Sequence, residues 1–360
     1  MPQKLCYILP EYRSDDATHF SHIHDFLKEI SKSFDIFLIV EKGSVPNKAL
    51  GYRNVYLLYF SFLPLRALET FFILLWVRLE GYRNFYVHYS FMSAFFASLV
   101  GRTFYWNCGE PWKYKRNFLR EFFERAVYKM ITFQVTGAAS LADKYADYYG
   151  ISVNKIKIMP NWIDLKRFAS PLSRGAARDK LNLPHDAKIV LFAHHLSPRK
   201  GSRMILPVAQ SVAATEPNAL FLVAGAGPDE KFLRDEIIRL GLSKNARIIG
   251  AIPNRELPDY FSASDVFFMP SEEEGFPRVL LESMALGVPF VASDAGAAKE
   301  IAEPSMQAYI VKSGDIAVFS AKLGELLETF PNKEISIRVR EWVKRYDIST
   351  VGAHFSKLFI

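Results

Sequence analysis

Short apolar runs recur along the chain, separated by polar loops and by segments with helical spacing. In the first half, runs at 5–9, 36–40, 55–60, 85–89, 104–107, 134–136 and 157–159 read as strands. Between them, 23–34 has an amphipathic helical pattern and 91–100 reads as a small-residue helix. The stretch 63–79 is apolar almost all round, but its longest uninterrupted apolar run is only 71–77. It is too short to span a bilayer, so it reads as a buried helix or one lying in a membrane surface, burial being the commoner case. The segment 113–129 reads as a helix with Lys113, Arg116 and Arg120 on one face and an apolar stripe through Phe118, Phe122, Leu119 and Phe123. A basic amphipathic helix with Trp112 and Tyr114 at its start fits an interfacial membrane helix; the alternative is a solvated surface helix.

The second half repeats the rhythm more clearly. Runs at 189–193, 220–224, 247–252, 266–270 and 288–292 read as strands, with helices at 204–213, 231–240, 256–263 and 277–287. The end of the chain, 335–359, reads as helical with a break near Asp347. Strands alternating with helices predict parallel sheets covered on both faces. Pro160-Asn161-Trp162-Ile163-Asp164 and the polar stretch 167–178 read as a linker. This gives domains at 1–165 and 166–345, with a terminal helix at 346–360 that packs back toward the first domain.

Composition divides the halves further. Residues 1–160 hold 20 Lys and Arg against 14 Asp and Glu, whereas the remaining 200 hold 25 against 24. The same 160 residues carry 34 of the 52 aromatics. A basic, aromatic-rich half fits an anionic membrane surface; no clustered basic motif points to nucleic acid. Cys6 and Cys108 make neither a disulfide framework nor a metal-ligand spacing, and no secretory signal precedes the first strand, so a reducing, cytoplasmic setting is expected.

The chemistry concentrates in Ser271-Glu272-Glu273-Glu274-Gly275-Phe276-Pro277 and the helix after it. Strand, tight turn and helix follow one another, with Pro277 at the first helical position and Gly287 as the stop. Glu274 lies in the turn and Glu282 in the helix, on a face shared with Val279 and Leu286. Either carboxylate alone reads as a solvated side chain; the pair in this setting reads as a site, because the helix start offers N–H groups to an anion and the carboxylates offer acceptors to hydroxyls. In such sheets ligands sit beyond the carboxyl ends of the strands. The loops there are 194–200, 225–228, 272–277 and 293–297, which brings Arg199 and Lys200 to the same edge as the helix starts. A P-loop is absent, and Glu230 stands where a third glycine would complete GxGxxG, against an oxidoreductase.

These elements resemble glycosyltransferase family 4, retaining enzymes of the GT-B fold that use nucleotide sugars. The resemblance rests on Pro270-Ser271, Glu274-Gly275-Phe276-Pro277, Leu281-Glu282-Ser283-Met284-Ala285 and Gly287-Val288-Pro289, with Lys200-Gly201, Gly225-Ala226-Gly227-Pro228, Tyr260–Asp265 and Pro160-Asn161 in the expected order. It implies an α/β fold of two Rossmann-like doubly wound domains facing a central cleft. It implies Glu282 on the ribose hydroxyls, Glu274 near the reacting carbon of the donor sugar, and Lys200 on the leaving diphosphate. Gly275, Phe276, Pro277, Ile252 and Gly296 join the donor set with Arg199 and His195, the last standing where the family usually has arginine. A glycine-rich first loop is replaced by 11–20. Near the family's N-terminal histidine stands Asn107-Cys108-Gly109, with His19 and His88 as weak substitutes. On that half His19, Cys108, Glu110, Lys113, Arg116 and Arg120 are the acceptor or membrane candidates. No Asp-x-Asp pair follows a strand, so neither metal nor cofactor is expected. The donor would be a UDP- or GDP-linked sugar, and the acceptor a lipid-linked or polysaccharide saccharide at the cytosolic membrane face. The rival readings are another GT-B enzyme such as a nucleotide-sugar epimerase, and a non-catalytic nucleotide-sugar-binding protein.

Overall fold

The computed structural model describes residues 2–12, 21–43, 54–169 and 171–359. The chain divides into two compact units, residues 1–161 with 348–360, and residues 162–347. Each is a parallel sheet covered by helices.

In the first unit the order is β1 (Gln3–Leu9), α1 (Ser21–Ile30), β2 (Phe34–Val40), β3 (Asn54–Leu57), α2 (Leu63–Leu79), β4 (Asn84–His88), α3 (Phe91–Val100), β5 (Arg102–Trp106), α4 (Phe118–Met130), β6 (Phe133–Thr136), α5 (Ala139–Tyr149) and β7 (Ile156–Ile158). Among the described residues the sheet runs β3-β2-β1-β4-β5-β6-β7, all parallel. Strands buried on both faces need continuous apolar runs, and β1, β2 and β4 are such runs.

The second unit is α6 (Arg174–Lys180), β8 (Lys188–Ala193), α7 (Ile205–Thr215), β9 (Ala219–Ala224), α8 (Glu230–Arg239), β10 (Ala246–Gly250), α9 (Leu257–Ala263), β11 (Val266–Met269), α10 (Arg278–Ala285), β12 (Phe290–Ser293), α11 (Ala298–Ile301), β13 (Ile310–Val311), α12 (Ile316–Thr329) and α13 (Lys333–Val343). Its sheet runs β10-β9-β8-β11-β12-β13, again parallel. After Asp347 the chain forms α14 (Ile348–Lys357), which belongs to the first unit. There Phe355 and Phe359 pack their rings against Tyr86, Phe34 and Phe104.

Three expectations need correction. The stretch 167–178 is not all linker, because Ser173 caps α6 through Ala176 N. Lys113 is not in a helix: it ends a 3-10 turn, and α4 begins only at Phe118, capped by the side chain of Asn117. The cations named for one exposed face are therefore dispersed. Arg116 is buried against Glu124, Arg120 bonds Glu124 at 3.0 Å, and Lys113 pairs with Glu110 at 2.8 Å. Helix α4 exposes Phe118, Leu119 and Phe122 alongside Arg120. Finally, α2 is not enclosed. Its inner face holds Arg66, Thr70, Ile73, Leu74 and Val77, while Leu68, Phe72 and Trp76 face outward. Ring contacts of Phe71 with Phe96 and of Phe95 with Phe123 join α2, α3 and α4 into one apolar surface.

The second unit is clasped by a buried ion pair. Arg178, fully buried, meets Asp265 at 2.8 Å and donates to the carbonyls of Ala263, His185 and Ala187. Asp265 also accepts from Ile189 N at 2.6 Å, which ties the start of β8 to the approach to β11. Arg178→Met is expected to destabilise this unit by about 3 kcal/mol, because it removes the buried cation from Asp265 and leaves only the exposed Arg174, 2.7 Å away, to meet that carboxylate. Denaturant unfolding of the purified variant checks the value.

Candidate active site

The site forms where β8 and β11 end. Past β8, residues 198–200 make a 3-10 turn that carries Lys200. Past β11, the chain turns through Glu272–Pro277 into α10. The two loops are joined by Glu272 N donating to Arg199 O at 3.0 Å. Lys200 Nζ donates to Glu273 O at 3.1 Å and to Glu274 Oε1 at 2.8 Å. His194 Nε2 lies 3.2 Å from the same Glu274 oxygen. Glu274 is buried. Burial pushes its carboxyl up, but His194 and Lys200 pull it the other way, down to about 2. It is thus an ionised carboxylate gripped by two donors.

A third loop supports this turn. Gly296 has φ of 57°, and a Cβ there would stand 2.2 Å from Glu274 O. Only glycine allows the approach that lets Ala297 N donate to Gly275 O at 2.9 Å. Pro277 is the cap residue of α10 rather than its first helical residue, and no side chain caps that helix start.

One turn into α10, Glu282 is different. Its Oε2 is enclosed and has no hydrogen-bond partner among the described residues. Burial pushes its carboxyl above the ordinary range, with Arg278 and Arg167 acting against that. Arg278 Nε also donates to Trp162 O at 3.3 Å, so the segment entering this unit is anchored at the start of α10. Ser271 and Ser293, at the ends of β11 and β12, are buried with hydroxyls that also lack partners. Lone buried acceptors and hydroxyls at strand ends suit a ligand rich in hydroxyls.

The remaining expected residues scatter. Arg199 turns onto Glu273 at 3.5 Å instead of joining the Glu274 cluster. His195 is exposed and meets the cluster only through its backbone N–H, which donates to His194 Nδ1 at 2.8 Å. Its neighbour His194, not singled out from sequence, is the histidine that meets Glu274. Phe276 is a packing residue whose ring meets Tyr346. Ile252 lies two residues past the end of β10. In the first unit Cys108 is buried with its Sγ 3.0 Å from Tyr89 Oη, and Glu110 is buried beside Lys113. His88 is a core residue: Tyr7 Oη lies 2.6 Å from its Nε2, and burial lowers its pKa to about 3. His19 lies outside the described residues. Among the described residues no group of three or more His, Cys, Asp or Glu is placed to hold a metal ion.

Unpaired burial makes Glu282 a liability for folding. A carboxyl whose pKa rises on folding contributes less as pH rises through and above its unfolded value, so Glu282→Gln is expected to raise stability at pH 7 by about 1 kcal/mol. The gain should vanish near pH 4. Thermal melts across that range check both signs.

Glycosyl transferases group 1 is the family matched, over residues 173–337. The D-inositol 3-phosphate glycosyltransferase of Streptosporangium roseum is 30% identical over 190 residues, covering 50% of this chain and 43% of that protein. A GDP-mannose-dependent monoacylated alpha-(1-6)-phosphatidylinositol monomannoside mannosyltransferase of Corynebacterium glutamicum is 31% identical over 179 residues, covering 47% of this chain and 46% of its own. The chain thus spans less than half the length of these relatives. A crystal structure of Anabaena HepE in complex with UDP is similar over 99% of both chains, with a TM-score of 0.81 at 17% identity. The fold is GT-B, and the stretch that matches the glycosyl transferases group 1 family, residues 173–337, contains Glu274 and Glu282.

Proposed function

We propose that this protein is a retaining glycosyltransferase of family 4, moving a sugar from a UDP- or GDP-linked donor to a lipid-linked or polysaccharide acceptor. The observation that carries the reading is the Glu274–Lys200 pair set beside the unpartnered Glu282 in the group 1 domain. Glu282 Oε2 is an acceptor ready for a ribose hydroxyl. Lys200 is the cation to meet the diphosphate, and the uncapped start of α10 adds N–H groups. As the sugar–oxygen bond breaks, negative charge grows on the diphosphate and positive charge on the sugar. Lys200 stabilises the first and Glu274 the second, without a metal. Transfer of labelled sugar from UDP-glucose and GDP-mannose tests this. Lys200→Ala and Glu274→Ala should each lower turnover by about a hundredfold or more. Undiminished transfer in both rules out the assignment. Turnover without any acceptor points to an epimerase, and binding without turnover to a non-catalytic protein.

The same reading places the protein on the cytosolic membrane face, with the first unit taking the acceptor and touching lipid. Among the described residues no helix is long and apolar enough to cross a membrane. Support comes from the outward faces of α2 and α4, where Leu68, Phe72, Trp76, Phe118, Leu119 and Phe122 are all exposed. Beside α2 lies a groove of about 540 Å³ lined by Phe60, Leu65, Phe72 and Trp76. Residues 59–130 hold ten Lys and Arg against five Asp and Glu, which suits anionic lipid. Leu68→Ser with Phe72→Ser and Phe118→Ser should weaken flotation with phosphatidylglycerol vesicles at least tenfold. Equal flotation of the triple variant and the parent would remove the membrane contact from this face.

A further inference from the structure

His194 is the part of the site that the proposed reading leaves idle. It stands just past β8, and its carbonyl is fixed by the following turn: Gly225 approaches so closely that a Cβ there would lie 1.9 Å from His194 O. Its two ring nitrogens have opposite tasks. Nδ1 accepts from His195 N at 2.8 Å, and Nε2 faces Glu274 Oε1 at 3.2 Å. A nitrogen that accepts an N–H bond carries no proton, so the ring's hydrogen sits on Nε2 and points at the carboxylate. Protonating Nδ1 would require breaking the bond from His195 N. The other charged groups near the imidazole are accounted for. Lys200 shares the Glu274 oxygen, Arg199 is on Glu273, and Asp229 behind Leu196 is held by Ser202 and Arg203.

We infer that His194 is a positioning residue: a neutral imidazole, locked as its Nε2–H tautomer by the His195 backbone, that holds Glu274 in place when a diphosphate draws Lys200 away. The inference rests on Lys200 meeting the donor, as proposed above. Its logic is charge. In the free site Lys200 and Glu274 offset each other at 2.8 Å. Once Lys200 serves the diphosphate, a buried carboxylate stripped of donors would be costly and free to swing. A second cation would hold it but would cancel the negative charge the sugar needs as its bond breaks. A neutral N–H donor orients the carboxylate and leaves that charge available.

Two measurements test this. In the ligand-free protein labelled with 15N-histidine, the ring signals lost in His194→Gln should report an Nε2–H neutral imidazole at pH 7.5. An Nδ1–H tautomer or an imidazolium there overturns the inference, whatever the substrate. In transfer assays with UDP-glucose and GDP-mannose, His194→Ala should lower kcat by roughly a hundredfold while donor KM changes less than about threefold. His194→Gln, which keeps a donor N–H of similar reach, should recover most of the rate. Glutamine no better than alanine, or KM rising in step with the loss of kcat, overturns it too. If instead Lys200→Ala leaves donor binding and turnover intact, the failure belongs to the functional reading, and the imidazole spectrum still decides the tautomer.

Discussion

A buried carboxylate has to be given donors, and in this protein that requirement shapes the site. Glu274 lies too deep for water to solvate it, so its charge must be met by groups from the chain. Lys200 and His194 come from the loop past β8, and reaching Glu274 brings that loop against the turn past β11. Backbone bonds then follow: Lys200 also caps Glu273 O, Glu272 N joins Arg199 O, and the 293–297 loop closes on Gly275. Three strand ends are thus fixed by the needs of one side chain. Eight residues on, Glu282 has no such supply. Two donors thus meet one oxygen of Glu274, while Glu282 Oε2 has no hydrogen-bond partner among the described residues.

Buried charge does similar work elsewhere. Arg178 and Asp265 tie α6 to two strands of the second unit. In the first unit Arg66 reaches Glu41 at 2.6 Å, with Ser93 Oγ on the same carboxylate, and so joins β2, α2 and α3. Glu124 of α4 collects both Arg116 and Arg120. Arg66 and Arg178 are turned inward by these pairs, and the outer face of α2 is left apolar, while on α4 Arg120 stays exposed beside Phe118 and Phe122.

The alternation of strands and helices was readable from apolar runs, because strands of a parallel sheet are buried on both sides and cannot disguise it. The Glu274–Glu282 element was readable too, since turn, helix start and two acidic residues fall within a dozen positions. The misses have physical causes. Lys113 shares helical spacing with Arg120, yet Asn117 caps the helix after it, and a cap overrides spacing. The two-residue β13 and the helix α5 carry little pattern of their own and are held by neighbours. His194 and His195 are indistinguishable as letters. What separates them is the bend that follows β8, where the ring of His194 meets Glu274 while His195 is exposed. The open state of Glu282 was not readable, because a list of residues does not show which partners are withheld.

Helix α2 shows why periodicity alone could not choose its surroundings. Residues 66, 70, 73, 74 and 77 follow the inner stripe, while 65, 68, 72, 76 and 79 repeat at similar spacing on the outside and are mostly apolar as well. A helix enclosed by protein and a helix lying between a core and a second apolar phase have the same pattern. The difference lies in the polar anchors. Arg66 and Thr70 sit on the inner face, where Arg66 Nη2 donates to Glu41 and Thr70 Oγ1 to the carbonyl of Arg66. Glu69 spends its carboxylate on the N–H groups of Tyr59 and Phe60. With these polar groups consumed, the outer face has little left to offer water. At about 25 cal/mol per Å² such a face is a standing cost in solution and a source of binding energy at an apolar boundary. That balance is the physical ground of the membrane contact proposed above.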